Sequence, residues 1–331
     1  MAILPSKYLK RLLQSLAVCT IVTLVNACSD TLAINHVSSP LPAVNTLDAP
    51  SVGGLISTRF KDLDALQQVV SIEFLGDTTG GKDSKAVRLT HRSNGITVVS
   101  ALEKGVDEDD FRRARDDGFW AKVGLAISSP YALTHRKDIM RVFILSRRKH
   151  DIYGPGDIAF YDFAELMTQG ICKEYRQTAA PEDLTEKGYL NTFNHITAQA
   201  FVTTLFSEEL AEYVADAHER HNMPELISGK FTVEQLVSKD NNPVDNYVDM
   251  VNNEWGQALG KTLKEKYSID SNTKWTPQLL ADYLNEVQAY YAWAFQISFT
   301  PFDTADEAVI RFSKKLNTVL GEVRAVQAGG S

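Results

Sequence analysis

The stretch PVDNYVDMVNNEWGQALGKTL, residues 243–263, predicts a long helix with a polar face, running to about Tyr267. At about 100° per residue, one arc of this helix collects Asp245, Asp249, Asn252, Asn253, Gly256, Gly260 and Leu263. Inside a helix, asparagine and aspartate are each a few tenths of a kcal/mol worse than alanine, and glycine is worse by about 1 kcal/mol. We therefore expect this face to serve polar bonding or close packing against another helix.

A second polar stripe precedes it, on a helix predicted over residues 191–206. His195 lies on one face of this helix together with Gln199, Val202 and Phe206. Because the two large apolar residues must face the core, His195 and Gln199 are expected to point inward as well.

A third polar stripe ends the next helix, in VADAHERHN, residues 214–222. Ser207 is the predicted N-cap of this helix, because its hydroxyl can accept a hydrogen bond from a backbone N–H of the first turn. The helical period places His218 on the inward side, Glu219 at the edge of that side and Asp216 outward.

These stripes predict a single site, because a buried polar group without a partner costs about 1–3 kcal/mol. Burial and close partners would then shift the pKa values of its histidines and carboxylates. The predicted catalytic residues are His195, His218, Glu219 and Asp249, and the predicted binding residues are Gln199, Asn252 and Asn253.

The same clusters resemble a family of uncharacterised helical domains in bacterial and phage proteins. The family pattern is Arg/Asn-His, then Ala-His-Glu, then Asp-x-x-Asn-Asn-x-x-Gly, and the matching segment covers about Asn191 to Gly260. The basic residue that usually precedes the first histidine is Asn194 here, and Thr197 replaces the usual aromatic residue after it. The resemblance implies a site at these positions without implying a particular reaction.

Nothing in the sequence requires a metal or another cofactor, although a zinc or iron site is one alternative. The zincin motif His-Glu-x-x-His is excluded, because Asn222 stands where its second histidine belongs. If a metal binds, the predicted ligands are His195, His218 and Asp249, with Glu219 as general base.

Two functional hypotheses follow for this site. In the first, the histidine–carboxylate pairs perform general acid–base hydrolysis of an envelope component, either peptidoglycan or phospholipid. In the second, the cluster is a structural hydrogen-bond network inside a non-enzymatic binding or assembly protein. An open cleft at Glu219 favours the first hypothesis, whereas a sealed core favours the second.

The fold class predicted for the 331-residue chain is α+β, predominantly α. A small α+β region is expected over 55–150, with a strand in 69–75, a hairpin turning at Ser93-Asn94-Gly95 and a further strand from Arg141 to Ser146. A bundle-like helical domain is expected over 151–327, because helix caps and helical periodicity dominate there.

The N-terminus resembles a bacterial lipoprotein signal. Basic residues precede an apolar segment from Leu12 to Ala27, which is too short for a comfortable bilayer span, and Cys28 follows a small residue. Residues 1–27 are therefore predicted to be removed, Cys28 to be lipidated, and 28–54 to form a disordered tether. Ser29 after the cysteine favours the outer membrane, with the domain facing the periplasm.

The charge of the chain bears on its partners. The formal net charge is −8, so no basic excess exists to displace phosphate counterions, and a nucleic-acid partner is not expected. The predicted partners are the membrane, through the lipid anchor, and a protein or envelope polymer.

Overall fold

The computed structural model describes residues 53–76, 85–177, 179–223, 225–228, 231–237 and 243–328, with the backbone alone for 322–328. The predicted signal peptide, the lipidation site Cys28 and nearly all of the tether lie outside the described residues. In the described residues the chain is predominantly helical, with a small antiparallel sheet near its start, which confirms the predicted fold class.

The sheet has three strands in the order β1-β2-β3: Val70–Gly76, Lys85–Ser93 and Ile96–Glu103. Ser93 pairs with Ile96, so Asn94 and Gly95 form a two-residue turn, with positive φ angles of 52° and 79°. Asparagine and glycine tolerate this left-handed backbone. The predicted hairpin is therefore confirmed.

Helices follow the sheet almost without interruption, and several begin at a residue whose side chain caps them. Asp107 makes a reciprocal capping box with Asp110, Ser207 accepts from the N–H of Leu210, and Thr276 caps a helix that begins with Pro277. The α-helices are α1 Leu63–Gln67, α2 Glu108–Asp116, α3 Phe119–Ser128, α4 Pro130–Thr134, α5 Arg136–Leu145, α6 His150–Tyr153, α7 Phe160–Gly170, α8 Lys173–Arg176, α9 Tyr189–Leu205, α10 Glu208–His221, α11 Glu225–Ser228, α12 Val233–Val237, α13 Pro243–Lys266, α14 Pro277–Phe295 and α15 Glu307–Ala328.

The strand predicted from Arg141 to Ser146 is wrong, because this segment is the second half of α5. A short apolar run cannot be assigned to a strand or a helix from its periodicity alone. In the structure its buried residues are Val142 and Leu145, three apart, and Asp138 bonds to Arg141 across one helical turn.

The long helix α13 lies at the centre of the fold and packs most extensively against α9. A Cβ atom added at Gly256 would lie 2.7 Å from the backbone oxygen of Ile196, and one at Gly260 would lie 2.6 Å from that of Ala200. These glycines therefore allow the two backbones to approach closely, which is one of the two uses predicted for this face.

One hydrophobic core joins the sheet to the helices. It extends from Leu55 to Val319 and includes Leu89 of β2, Phe201 of α9 and Trp255 of α13. The segments predicted as 55–150 and 151–327 both contribute to this core, so the position of the sheet and the position of α13 depend on the same packing.

Candidate functional site

Helices α9, α10 and α13 bring four of the predicted residues together. His195 comes from the middle of α9, Glu219 from the last turn of α10, and Asp249 and Asn253 from one face of α13. The close contact of Gly256 in α13 with Ile196 of α9 places His195, the residue before Ile196, opposite the two α13 residues. We call His195, Glu219, Asp249 and Asn253 the polar cluster.

Hydrogen bonds connect the polar cluster in a chain. The Nδ2 of Asn253 donates to Oε1 of Glu219 at 3.0 Å, so its Oδ1 faces the Nδ1 of His195, also at 3.0 Å. Because this amide oxygen can only accept, Nδ1 of His195 carries a hydrogen. The other ring nitrogen, Nε2, lies 3.4 Å from Oδ2 of Asp249.

Two further side chains, Asn191 and Lys187, bind the carboxylates of Asp249 and Asp245 on α13. Asn191, one turn before His195, donates from Nδ2 to Oδ1 of Asp249 at 2.8 Å. Lys187 pairs with Asp245, one turn before Asp249, at 2.7 Å. Asp249 therefore receives an amide donor on one oxygen and faces an imidazole nitrogen with the other.

The orientation predicted for α10 needs a correction. The side chain of Glu219 is only 3% exposed, whereas that of His218 is 49% exposed. Ala211, Ala215 and Glu219 form the ladder that packs inward, because these small alanines let α10 approach α13 closely. His218 therefore lies at the solvent edge of the polar cluster instead of inside it.

Glu108 is a residue of this region that was not predicted from the sequence. Its Oε1 lies 2.8 Å from Nδ1 of His218. Glu108 belongs to the first turn of α2, in the acidic run 107–110 that begins the helix, and 110 positions separate it from His218. No local pattern distinguishes Glu108 from its acidic neighbours, so only the packing of α2 against α10 reveals the pair.

Burial and hydrogen bonding set the charges of these groups. Burial lowers the pKa of His195 to about 4 and raises the pKa of Glu219 to about 7. Burial and the charge of Glu219 raise the pKa of Asp249 as well. The hydrogen bond to Glu108 raises the pKa of His218 to about 9. At neutral pH, His195 is therefore neutral and His218 is a cation beside buried carboxyl groups.

His195, His218 and Glu219 form a group that could hold a metal ion. Each offers one ligand atom, and the three atoms lie within 4.8 Å of one another. The sequence predicted His195, His218 and Asp249 for this role, so Glu219 stands in this group where Asp249 was predicted. Asp249 lies on the far side of His195, in contact with its Nε2 atom.

Two of the predicted binding residues bond elsewhere. Asn252 is fully buried, accepts from the backbone N–H of Leu55 at 2.6 Å and donates to its carbonyl at 2.9 Å. Gln199 accepts from Gln257 at 3.4 Å. Within the described residues, Asn253 is the one predicted binding residue that bonds to other members of the polar cluster, His195 and Glu219.

No family model, curated protein or solved structure matches this chain. Within the described part of the chain, no helix combines the length and the apolar character that spanning a membrane requires. The site is therefore interpreted from its own chemistry.

Proposed function

We propose that this protein is a metal-dependent hydrolase of the bacterial cell envelope, with a zinc-class ion held by His195, His218 and Glu219. The observation that carries the proposal is the convergence of these three ligand atoms within 4.8 Å of one another. Two imidazoles and one carboxylate are a donor set that catalytic zinc sites use, and three protein ligands leave a fourth position for water.

The groups around the three ligands support a metal site. Glu108 is positioned to accept from Nδ1 of His218, which leaves Nε2 of that ring available as a ligand. Carboxylates that orient ligating histidines in this way are typical of metal sites. The Asn253 amide donates to Glu219 at 3.0 Å, whereas its bond to Nδ1 of His195 would be replaced by the metal ion.

A bound zinc ion would lower the pKa of its water ligand to about 7 and so supply a hydroxide nucleophile at neutral pH. The half-exposed His218 provides the side from which water and substrate reach the ligands. The nitrogen of His195 on the Glu219 side is Nδ1, 3.8 Å from Oε1 of Glu219, so a metal ion there would replace the hydrogen that Nδ1 carries in its absence. The ring hydrogen would then be on Nε2, 3.4 Å from Oδ2 of Asp249, and that carboxylate would orient the ring.

The envelope location belongs to the same proposal. It is supported by the lipoprotein-like sequence that ends at Cys28, and it places the outer membrane and peptidoglycan within reach of a tethered domain. Peptidoglycan and phospholipid are the two substrate classes to test.

Metal binding is tested by zinc titration calorimetry and by elemental analysis of the purified full chain. We expect about one zinc ion per chain, and strong weakening in the variants H195A, H218A and E219Q. His221→Ala is the matched control, because His221 is a partly exposed histidine of the same helix that pairs with Asp109 instead. A wild-type chain without zinc, or equal weakening by His221→Ala, contradicts the metal site.

Hydrolysis is tested with the zinc-loaded chain on two substrates: purified peptidoglycan, followed by mass spectrometry of released fragments, and phospholipid vesicles, followed by release of fatty acid. Product formation that stops in E219Q and continues in H221A supports the hydrolase. Zinc binding without either product leaves a metal-binding protein and rejects the hydrolytic step for these substrates.

A structural hydrogen-bond network is the second candidate. The side chain of Glu219 is only 3% exposed, so it lies in a sealed core instead of an open cleft, which favours the network. The hydrogen bonds of Asn253 to His195 and Glu219 favour it as well. In this case the wild-type chain binds no zinc, and N253A lowers the free energy of unfolding without affecting any envelope-binding property. The zinc titration therefore separates the two candidates.

A further inference from the structure

A cavity of about 640 Å³ lies beside the polar cluster, between α2–α5 on one side and α7, α9 and α10 on the other. Its floor is apolar and buried, with Val142 of α5, Phe160 of α7 and Val202 of α9. Its volume is within the range of pockets that enclose a small organic ligand. The described residues that line this space include none of the four residues of the polar cluster, but they include Glu108, the partner of His218.

Helix α3, which lies over this cavity, has empty space between itself and the helices below it. Helix α3 has the sequence FWAKVGLAIS, yet none of its ten residues is buried. Leu125 and Ala126 of this helix line the cavity, while Trp120 and Ile127 are 79% and 65% exposed. A helix this apolar normally buries one face, so the space below α3 has the size and the lining for an apolar occupant.

Cationic side chains line the same cavity in a chain of net charge −8. Arg112 bonds to Asp109 and Arg115 to Asp116, so these two arginines already have acidic partners. Three further cations line the cavity and have no ion pair within the part of the chain that the structure describes: Lys122, Arg136 and Arg147. Arg136 begins α5 and Arg147 follows its end, so about 16 Å of helix separates their backbones. Arg136, with Lys122 of α3, therefore supplies the positive charge for an anion at one end of an apolar ligand.

We propose that this cavity binds a long-chain fatty acid, with the acyl chain on the apolar floor and the carboxylate at Arg136 and Lys122. An apolar chain supplies the contacts that α3 lacks. A planar guanidinium pairs with a carboxylate through two parallel hydrogen bonds, as it also does with a phosphate, and the test below separates the two head groups. This proposal does not depend on zinc binding or on hydrolysis by the polar cluster.

The test measures palmitate binding to the purified, delipidated full chain by calorimetry and native mass spectrometry, below the concentration at which palmitate aggregates. We expect one palmitate per chain and weaker binding of 1-hexadecanol, which has the same chain length without the charge. Equal binding of the two ligands, or no palmitate binding, overturns the proposal.

Two pairs of variants locate the ligand. Arg136→Glu is expected to weaken palmitate binding by about tenfold, the loss that one charge-assisted hydrogen bond accounts for. Its control is Lys137→Glu, which changes the net charge equally from the same helix but does not line the cavity. Ala126→Trp fills the cavity and is expected to weaken binding by about tenfold or more, unlike Ala121→Trp on the same helix.

Circular dichroism of all four variants establishes that they are folded. If both members of a pair weaken binding equally, palmitate does not occupy this cavity. Lysophosphatidylglycerol serves as a third ligand, and its tighter binding than palmitate overturns the carboxylate assignment in favour of a phosphate head group.

Discussion

At the scale of single residues, Asn253 has the most consequential hydrogen bonds of the candidate site. It donates to Glu219 and accepts from His195, both at 3.0 Å. An aspartate could not donate to Glu219, and an alanine would make neither bond. The amide therefore determines which nitrogen of His195 carries a hydrogen, and it holds a buried carboxyl group in place.

Asn253→Ala tests this role through stability. Glu219, which is 3% exposed, loses its amide donor, and we expect the free energy of unfolding to fall by about 1–3 kcal/mol. Urea denaturation followed by circular dichroism measures the change. A loss below about 0.5 kcal/mol, typical of a surface substitution, would show that water replaces the amide.

His91 predicts a pH dependence that is independent of the candidate site. It is buried in β2 and accepts a hydrogen bond at its Nδ1 atom from the indole N–H of Trp255 at 3.1 Å. Burial lowers the pKa of His91 from 6.5 to about 4. Between these values the unfolded chain binds a proton that the folded chain does not, so the stabilising effect of neutral His91 is present above pH 6.5 and is lost as the pH falls towards 4.

His91→Gln keeps a hydrogen-bond acceptor for Trp255 without the titration. Over the interval from pH 6.5 to 4, we expect the wild-type free energy of unfolding to fall by up to about 3 kcal/mol more than that of the variant. Urea denaturation at several pH values measures both curves. Parallel curves would show that His91 keeps an ordinary pKa in the folded chain.

At the scale of elements, the packing of α9 on α13 determines where the site lies. The two glycines of α13 face the backbone of α9 at Ile196 and Ala200. His195 precedes Ile196, and Asn253 is three residues before Gly256, so the contact that brings the backbones together also sets the distance between the two polar side chains.

Gly260→Ala tests this contact. Its Cβ atom would lie 2.6 Å from the backbone oxygen of Ala200, so the helices must separate, and we expect a loss of about 1–3 kcal/mol in the free energy of unfolding. The control is Gly321→Ala in α15, where nothing lies within 4 Å of the added Cβ atom. There, alanine is expected to stabilise by up to about 1 kcal/mol. Thermal denaturation of both variants measures the contrast, and equal effects would contradict it.

At the scale of the whole molecule, one core joins the sheet and the helices, and a buried ion pair connects distant parts of the chain. Lys315 of α15 and Asp157, before α7, are 2% and 3% exposed, and their charged atoms lie 2.7 Å apart. Lys315 also donates to the carbonyls of Arg147 and Ile158. This pair holds α15 against the segment between α6 and α7.

Lys315→Met leaves Asp157 buried without its cation. We expect the free energy of unfolding to fall by about 3–5 kcal/mol, because the uncompensated charge stays in the interior. The double variant with Asp157→Asn should recover part of this loss, since no buried charge remains. A double-mutant cycle from urea denaturation measures the coupling, and additive losses would show that the two side chains do not interact.

The sequence by itself determined the local structure: the Asn94-Gly95 turn, the capped helix starts and the predominantly α class. These features depend on backbone sterics and on hydrogen bonds within a few residues, so a single chain segment is enough to predict them. His195, Glu219, Asp249 and Asn253 could likewise be selected from helical faces, because inward polar groups need partners.

Only the tertiary structure decided how these groups combine. The rotation of α10 buries Glu219 and exposes His218, and helical periodicity cannot resolve two residues that are about 100° apart at the edge of a face. Glu108 reaches His218 from 110 positions away, Asn252 bonds to Leu55 instead of the polar cluster, and the segment 141–146 is helical. Each outcome depends on which surfaces pack together across the whole chain, and that choice minimises the free energy of the complete core.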